Sequence, residues 1–185
     1  MTETLASKFA QQTFSNGYEL VDGVRMHAEN PEHFLVPPDV IKRQIRVGHF
    51  VELRVDSPRF SVHEEQAQQC VCPCCEGQLA KPILRHTHPA SLVTAPVQQM
   101  PSRGWGEDFW VRVEIQDSDF YAGTVDNRLC ESRLHGLCYR DRIVFHQNHI
   151  LAVHGVHRLE IVESMQLEDL QELAHWLRSN GNQGA

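Results

Sequence analysis

The chain has 185 residues, and 24 acidic against 17 basic side chains give it a net charge of −7 at pH 7. Such a balance argues against binding to a nucleic-acid backbone as its main task, because that binding needs clustered Lys and Arg. Hydrophobic residues make up 41% of the chain and charged residues 22%, which is typical of a globular protein with a real core.

The N-terminal half predicts short elements. Residues 1–14 indicate a short helix, and Asp22-Gly23 lies between two alternating runs, which predicts a tight β-hairpin. A short helical piece follows Pro37-Pro38-Asp39, where proline is tolerated in the first turn. Strict alternation from Phe50 to Val55 then predicts a strand with one buried face.

Periodicity fades from residue 64 to residue 106, where Gln, Cys, Pro, His and Gly dominate. Five prolines in this stretch disfavour long regular elements. Roughly forty residues without an apolar face is long for a loop in a compact domain, so something must hold the segment. We therefore predict a metal-binding insert at 64–106.

The pattern of a sheet returns after the insert. Alternation at 109–115 predicts a strand, 120–125 predicts its return strand, and Gly123 suggests a bulge there. Residues 142–146 and 149–156 predict two strands joined by a hairpin at Gln147-Asn148. Leucines spaced as on one helical face predict a helix at 165–179 with Ser164 as its N-cap. The chain is thus predicted to be a single α+β domain, 1–185, with a β-rich core at 107–162 and a small twisted antiparallel sheet or partly open barrel.

The cysteine cluster predicts a zinc site. Cys72-Pro73-Cys74-Cys75-Glu76-Gly77 fits the zinc-knuckle pattern C-P-x-C-x-G, and an extended His86-Thr87-His88 would place both imidazoles on one face. Two thiolates and two imidazoles complete a tetrahedron around zinc, so the predicted ligands are Cys72, Cys75, His86 and His88. Other ligands remain open, namely Cys70, Cys74 and His63.

Two other uses of these residues are open. Cys72 and Cys75 also form a C-x-x-C pair of the redox kind, but the flanking residues lack the strand and helix of that motif. A zinc-dependent hydrolase would need three protein ligands and an open position, with a nearby Glu as base. Several good ligands crowded together favour a closed structural site instead.

Other side chains yield weaker hypotheses. His146, His149, His154 and His157 could form a second metal site or an acid–base pair, although exposed or hydrogen-bonded histidines around a hairpin explain them better. Cys130 and Cys138 are expected to be buried thiols. Trp105 and Trp110 suggest an interaction surface, because alternation puts Trp110 opposite the core-facing valines.

Short motifs at 47–55 and 109–150 carry a family resemblance. They are Val47-Gly48-His49-Phe50-Val51-Glu52-Leu53, then Phe109-Trp110-Val111-Arg112-Val113, then Tyr121-Ala122-Gly123-Thr124-Val125-Asp126-Asn127, then residues 137–145. Together they resemble a family of uncharacterised bacterial domains with a partly open SH3-like barrel, some relatives of which are associated with immunity to bacterial toxins. The chain departs from that pattern at His49 and Arg140, where Asp and Gly are usual, and by its Cys/His insert. The resemblance implies a fold and an interaction role, and it carries over no catalytic residue.

The function expected from the sequence is therefore a zinc-stabilised protein-interaction module of the adaptor or immunity kind. It is expected to bind another protein, without catalytic activity and without binding nucleic acid or membrane. Because no basic n-region, apolar leader or span-length apolar run is present, we expect a soluble cytoplasmic protein. The alternative is a zinc-dependent hydrolase that uses the Cys/His cluster.

Overall fold

A computed structural model describes residues 3–29, 31, 34–56, 106–130 and 132–181. Its strands are β1 (Glu19–Leu20), β2 (Phe50–Asp56), β3 (Glu107–Asp117), β4 (Phe120–Val125), β5 (Arg142–His146) and β6 (Ala152–Val153). Its helices are α1 (Leu5–Gln11), α2 (Gly23–Glu29), α3 (Asp39–Lys42), α4 (Ser132–His135), α5 (Gly155–Ser164) and α6 (Leu167–Gly181). Short 3₁₀ turns lie at Ser15–Gly17 and Gln147–His149.

All six strands belong to one antiparallel sheet in the order β1-β2-β3-β4-β5, with β6 also paired to β2. Successive side chains of a strand point to opposite sides of the sheet, so every second residue of each long strand faces the core. That side carries buried apolar residues: Val51, Leu53, Val55, Phe109, Val111, Val113, Ile143 and Phe145. The predicted α+β class is confirmed, and the sheet is nearly closed and barrel-like, which is compatible with an SH3-like barrel.

The strand at 50–55 and the strand pair at 109–125 are confirmed, and so are the N-terminal and C-terminal helices. The bulge lies on β3 and not on β4. Val113 pairs with Gly123 whereas Ile115 pairs with Ala122, so Glu114 is the extra residue. Ser164 ends α5 and does not cap α6, which begins at Leu167, so that predicted N-cap was wrong.

The predicted hairpin at Asp22-Gly23 is wrong, because these residues begin α2. The Asp22 carboxylate accepts a hydrogen bond from the Arg25 backbone N–H at 3.0 Å, as a helix N-cap does. A Cβ at Gly23 would lie 2.7 Å from Leu151, so glycine is used there for close packing. Asp-Gly is compatible with both a turn and a helix start, and packing decides between them.

The predicted hairpin at Gln147-Asn148 is also wrong. Gln147–His149 form a 3₁₀ turn, and the strand after it has only two residues and pairs with β2 rather than with β5. Val51 lies opposite Val153, and the backbone N–H of His154 donates to Phe50 O at 3.0 Å. This pairing helps to close the sheet and holds the start of α5 beside the start of β2.

Candidate functional site

The predicted zinc ligands Cys72, Cys75, His86 and His88 lie outside the described residues. The same is true of the alternatives Cys70, Cys74 and His63, of the insert as a whole, and of Trp105. The zinc site therefore stays a prediction. Trp110 is described, and it lies half-buried on β3 on the side opposite its buried neighbours Phe109 and Val111.

The backbone and the side chain of Trp110 each contact a neighbouring residue. Its backbone N–H donates to the side-chain oxygen of Asn127 at 2.7 Å. Its indole ring meets the His154 ring edge-on at 5.4 Å between centroids. Trp110 is thus one wall of a patch of aromatic and imidazole rings that continues onto α5.

Two histidines and a glutamate come together next to this patch. His157 and Glu160 are three residues apart on α5, so they share a helix face, and Nδ1 of His157 lies 2.9 Å from Oε2 of Glu160. The His49 ring, from the turn before β2, stacks on the His157 ring with centroids 4.9 Å apart and planes 16° apart. One ligand atom from each of these three residues lies within 4.8 Å of the others.

The electrostatics of the cluster keep its ligand atoms available at neutral pH. Partial burial, followed by the neighbouring His157, lowers the pKa of His49. The hydrogen bond from His157 lowers the pKa of Glu160, which favours its ionised form. A neutral imidazole and an ionised carboxylate are the forms that bind a metal ion.

The other predicted histidines have local structural roles. His146 and His149 cap the 3₁₀ turn, since the backbone N–H of Asn148 donates to Nδ1 of His146 at 3.2 Å. Burial lowers the pKa of His149, whose ring also packs against Phe9 at 5.2 Å. The expectation of buried thiols at Cys130 and Cys138 was wrong, because both are exposed free cysteines.

An apolar groove lies on the other side of α5, between α5 and α6. It has a volume of about 590 Å³ and is lined by residues 35–38 and 151–153 together with Ile41, Arg158, Leu159, Val162, Leu173, Trp176 and Leu177. We refer to it as the α5–α6 groove. Its walls are open to solvent, because Leu35 is 58% exposed, Leu159 65% and Leu177 54%. Among the described residues that line it, Arg158 is the only charged one.

Two residues that follow α3 fix the wall that α6 provides. Arg43, which follows α3, forms ion pairs of 2.6 Å with both Asp169 and Glu172 of α6. The side-chain amide of Gln44 donates to the other oxygen of Asp169 at 2.8 Å. These polar contacts lie on one flank of α6, while Leu173 packs against the core. The groove is therefore framed by helices held at defined positions.

Comparisons with protein-family models, with curated proteins and with solved structures each find no match for this chain. Within the described ranges, none of the helices combines the length and the apolar character needed to cross a lipid bilayer.

The sequence prediction missed both the His49–His157–Glu160 cluster and the α5–α6 groove. The signal for the first was His157 and Glu160 at helical spacing, but residues 149–156 were interpreted as a strand and α5 was not predicted. His49 is distant in sequence, and only the pairing of β2 with β6 brings it to α5. The groove requires the relative placement of two helices, which no local pattern specifies.

Proposed function

We propose that this protein is a non-catalytic, cytoplasmic protein-interaction module that binds an amphipathic segment of another protein in the α5–α6 groove. The proposal includes zinc at Cys72, Cys75, His86 and His88 as a stabilising ion. The free thiols of Cys130 and Cys138 fit the reducing environment of the cytoplasm.

The observation that carries the proposal is the exposure of the groove walls. Soluble proteins seldom leave several large apolar side chains exposed side by side unless the patch binds something. A small molecule would be enclosed by its site over most of its surface, whereas Leu35, Leu159 and Leu177 line this groove and remain more than half exposed. An open apolar groove between helices is the surface into which amphipathic helices bind.

The charge of Arg158 indicates which kind of partner segment fits the groove. Within the described ranges, Arg158 forms no ion pair, although this residue is among those that line an otherwise apolar groove. A partner segment with leucine-type anchors and one carboxylate facing Arg158 would complement both features. We therefore expect the bound segment to carry an Asp or Glu beside its apolar face.

The test is selection of a binder from a displayed library of helical peptides, followed by affinity measurements with the full chain. Leu159→Ala should weaken binding of the selected peptide by up to roughly sixtyfold, because about three buried carbon atoms are lost at about 0.8 kcal/mol each. Val156→Ala is the matched control, since Val156 is also on α5 and 56% exposed but does not line the groove. It should leave affinity unchanged.

A double-mutant cycle tests the ion pair. Arg158→Gln should weaken binding about two- to fivefold, and replacing the peptide's carboxylate by its amide should then cost nothing more. Selected peptides that bind Leu159→Ala and wild type equally would contradict the proposal. A self-association of the chain that Leu159→Ala abolishes would also contradict it, because the groove would then hold a second copy.

The hydrolase alternative stays a prediction, because the Cys and His residues on which it depends lie outside the described residues.

A further inference from the structure

We propose that His49, His157 and Glu160 form a binding site for a divalent transition-metal ion of the zinc type. This site shares no residue with the cysteine cluster, and it goes beyond the proposed interaction role. The carrying observation is that two imidazoles and a carboxylate, from segments more than a hundred residues apart, lie with ligand atoms within 4.8 Å of one another.

The donor set selects the class of ion. Imidazole nitrogens suit zinc and its neighbours in the first transition row, whereas Ca²⁺ and Mg²⁺ prefer sites made of oxygen. In a tetrahedral zinc site, bonds of about 2.0–2.1 Å place the ligand atoms roughly 3.3 Å apart. Because the two imidazole rings are stacked nearly parallel, at least one of them has to rotate to point its in-plane lone pair at a shared ion, and water would fill the fourth position.

The backbone on which these ligands are mounted is fixed. Gly48 N–H donates to Val113 O at 2.8 Å, and Val113 N–H donates to His49 O at 2.9 Å, so β3 holds the turn that carries His49. The pairing of β2 with β6 anchors the start of α5 beside that turn. Phe50 stacks on the His157 ring at 5.5 Å, which supplies an apolar wall beside the site.

The exposure of the side chains permits the ion to enter. The His157 side chain is 17% exposed and the Glu160 side chain 56% exposed. Nδ1 of His49 accepts a hydrogen bond from the backbone N–H of Arg46 at 3.2 Å, at an exposed position. Because Nδ1 accepts this hydrogen bond, the proton of the neutral ring is on Nε2. An ion bound at Nδ1 would replace this long hydrogen bond, and water would satisfy the freed N–H of Arg46.

The decisive measurement is zinc binding by the full chain, with zinc content determined by mass spectrometry after equilibrium dialysis at several free zinc concentrations. Wild type should bind one more ion per chain than His157→Ala or His49→Ala. Glu160→Gln should retain the site with roughly ten- to hundredfold weaker affinity, because the amide is a poor ligand. His175→Ala, which removes an exposed histidine of α6, is the matched control and should bind as wild type does.

A second readout separates this site from thiolate ligands. The imidazole ¹⁵N resonances of His49 and His157 are identified by their absence from the spectra of His49→Ala and His157→Ala. These resonances should shift when zinc is added to wild type. Because Glu160 is largely exposed, Glu160→Gln should keep the wild-type melting temperature, so its weaker binding cannot be attributed to unfolding. Equal zinc content and affinity in wild type, His157→Ala and Glu160→Gln would overturn the site, whatever the outcome of the peptide measurements.

Discussion

Replacing Gly123 by Ala should strongly destabilise the sheet, because there is no room for a side chain at this point of β4. A Cβ at Gly123 would lie 2.2 Å from the carbonyl oxygen of Arg112 and 2.6 Å from Cγ1 of Val111. The first contact is with backbone of the neighbouring strand, so no rotamer change relieves it. Overpacking of this kind costs about 3 kcal/mol, and the lower entropy of the unfolded alanine chain offsets about 0.4–1 kcal/mol. We expect a net loss of about 2–3 kcal/mol.

The assay is urea denaturation together with a thermal melt, in which this loss corresponds to a decrease of roughly 4–12 °C for a chain of this size. Gly155→Ala is the matched control, because nothing lies within 4 Å of a Cβ built at the first residue of α5. It should be stabilising by about 0.4–1 kcal/mol. Equal stability of the two variants would refute the register of β3 against β4 at the bulge.

Two further predictions concern titration and backbone strain. Burial lowers the pKa of His149 in the folded protein, although the hydrogen bond to the His146 carbonyl and the charge of Asp22 raise it, so the unfolded chain binds the proton more readily. Stability is therefore lost as pH falls from about 6.5 towards the folded pKa, at about 1.4 kcal/mol for each unit of pKa depression. Denaturation at pH 7.5 and 5.5 should show a smaller acid-induced loss in His149→Gln, with His175→Gln behaving as wild type; identical losses in all three would contradict this. Arg140 has a φ of 72°, in the left-handed region that favours glycine, so Arg140→Gly should raise the melting temperature by roughly 2 °C, whereas Arg142→Gly within β5 should lower it. A melting temperature that falls in both variants would contradict the strain at Arg140.

The long strands of the sheet could be predicted because their alternation is imposed by one buried face. Val111 and Val113 enter the core and Arg112 does not, which is the pattern that the sequence displays. The predictions that were wrong concern segments whose local conformation is decided by tertiary contacts. Residues 149–156 look like a strand from their composition, but the strand that pairs with β2 has only the residues Ala152 and Val153, and the helix begins at Gly155.

The candidate sites were less predictable than the fold. A metal site made of residues that are close in sequence can be recognised from the spacing of its ligands, as with Cys72 and Cys75. No such spacing links His49 to His157, since their proximity depends on the register in which Val51 lies opposite Val153. His49 is visible in the sequence just before a predicted strand, but its role depends on His157, which only the folded chain brings beside it.

The register between β2 and β3 has a consequence for the organisation of the chain. Val55 pairs with Glu107, so the polypeptide leaves the sheet after β2 and returns to it at almost the same point in space. The pairing of β2 with β3 therefore holds the strand ends at Asp56 and Glu107 close together. A longer or shorter connection between these two strand ends costs little loop-closure free energy, since that cost rises only with the logarithm of loop length. In design, this end of the β2–β3 hairpin is therefore a suitable place to insert a segment.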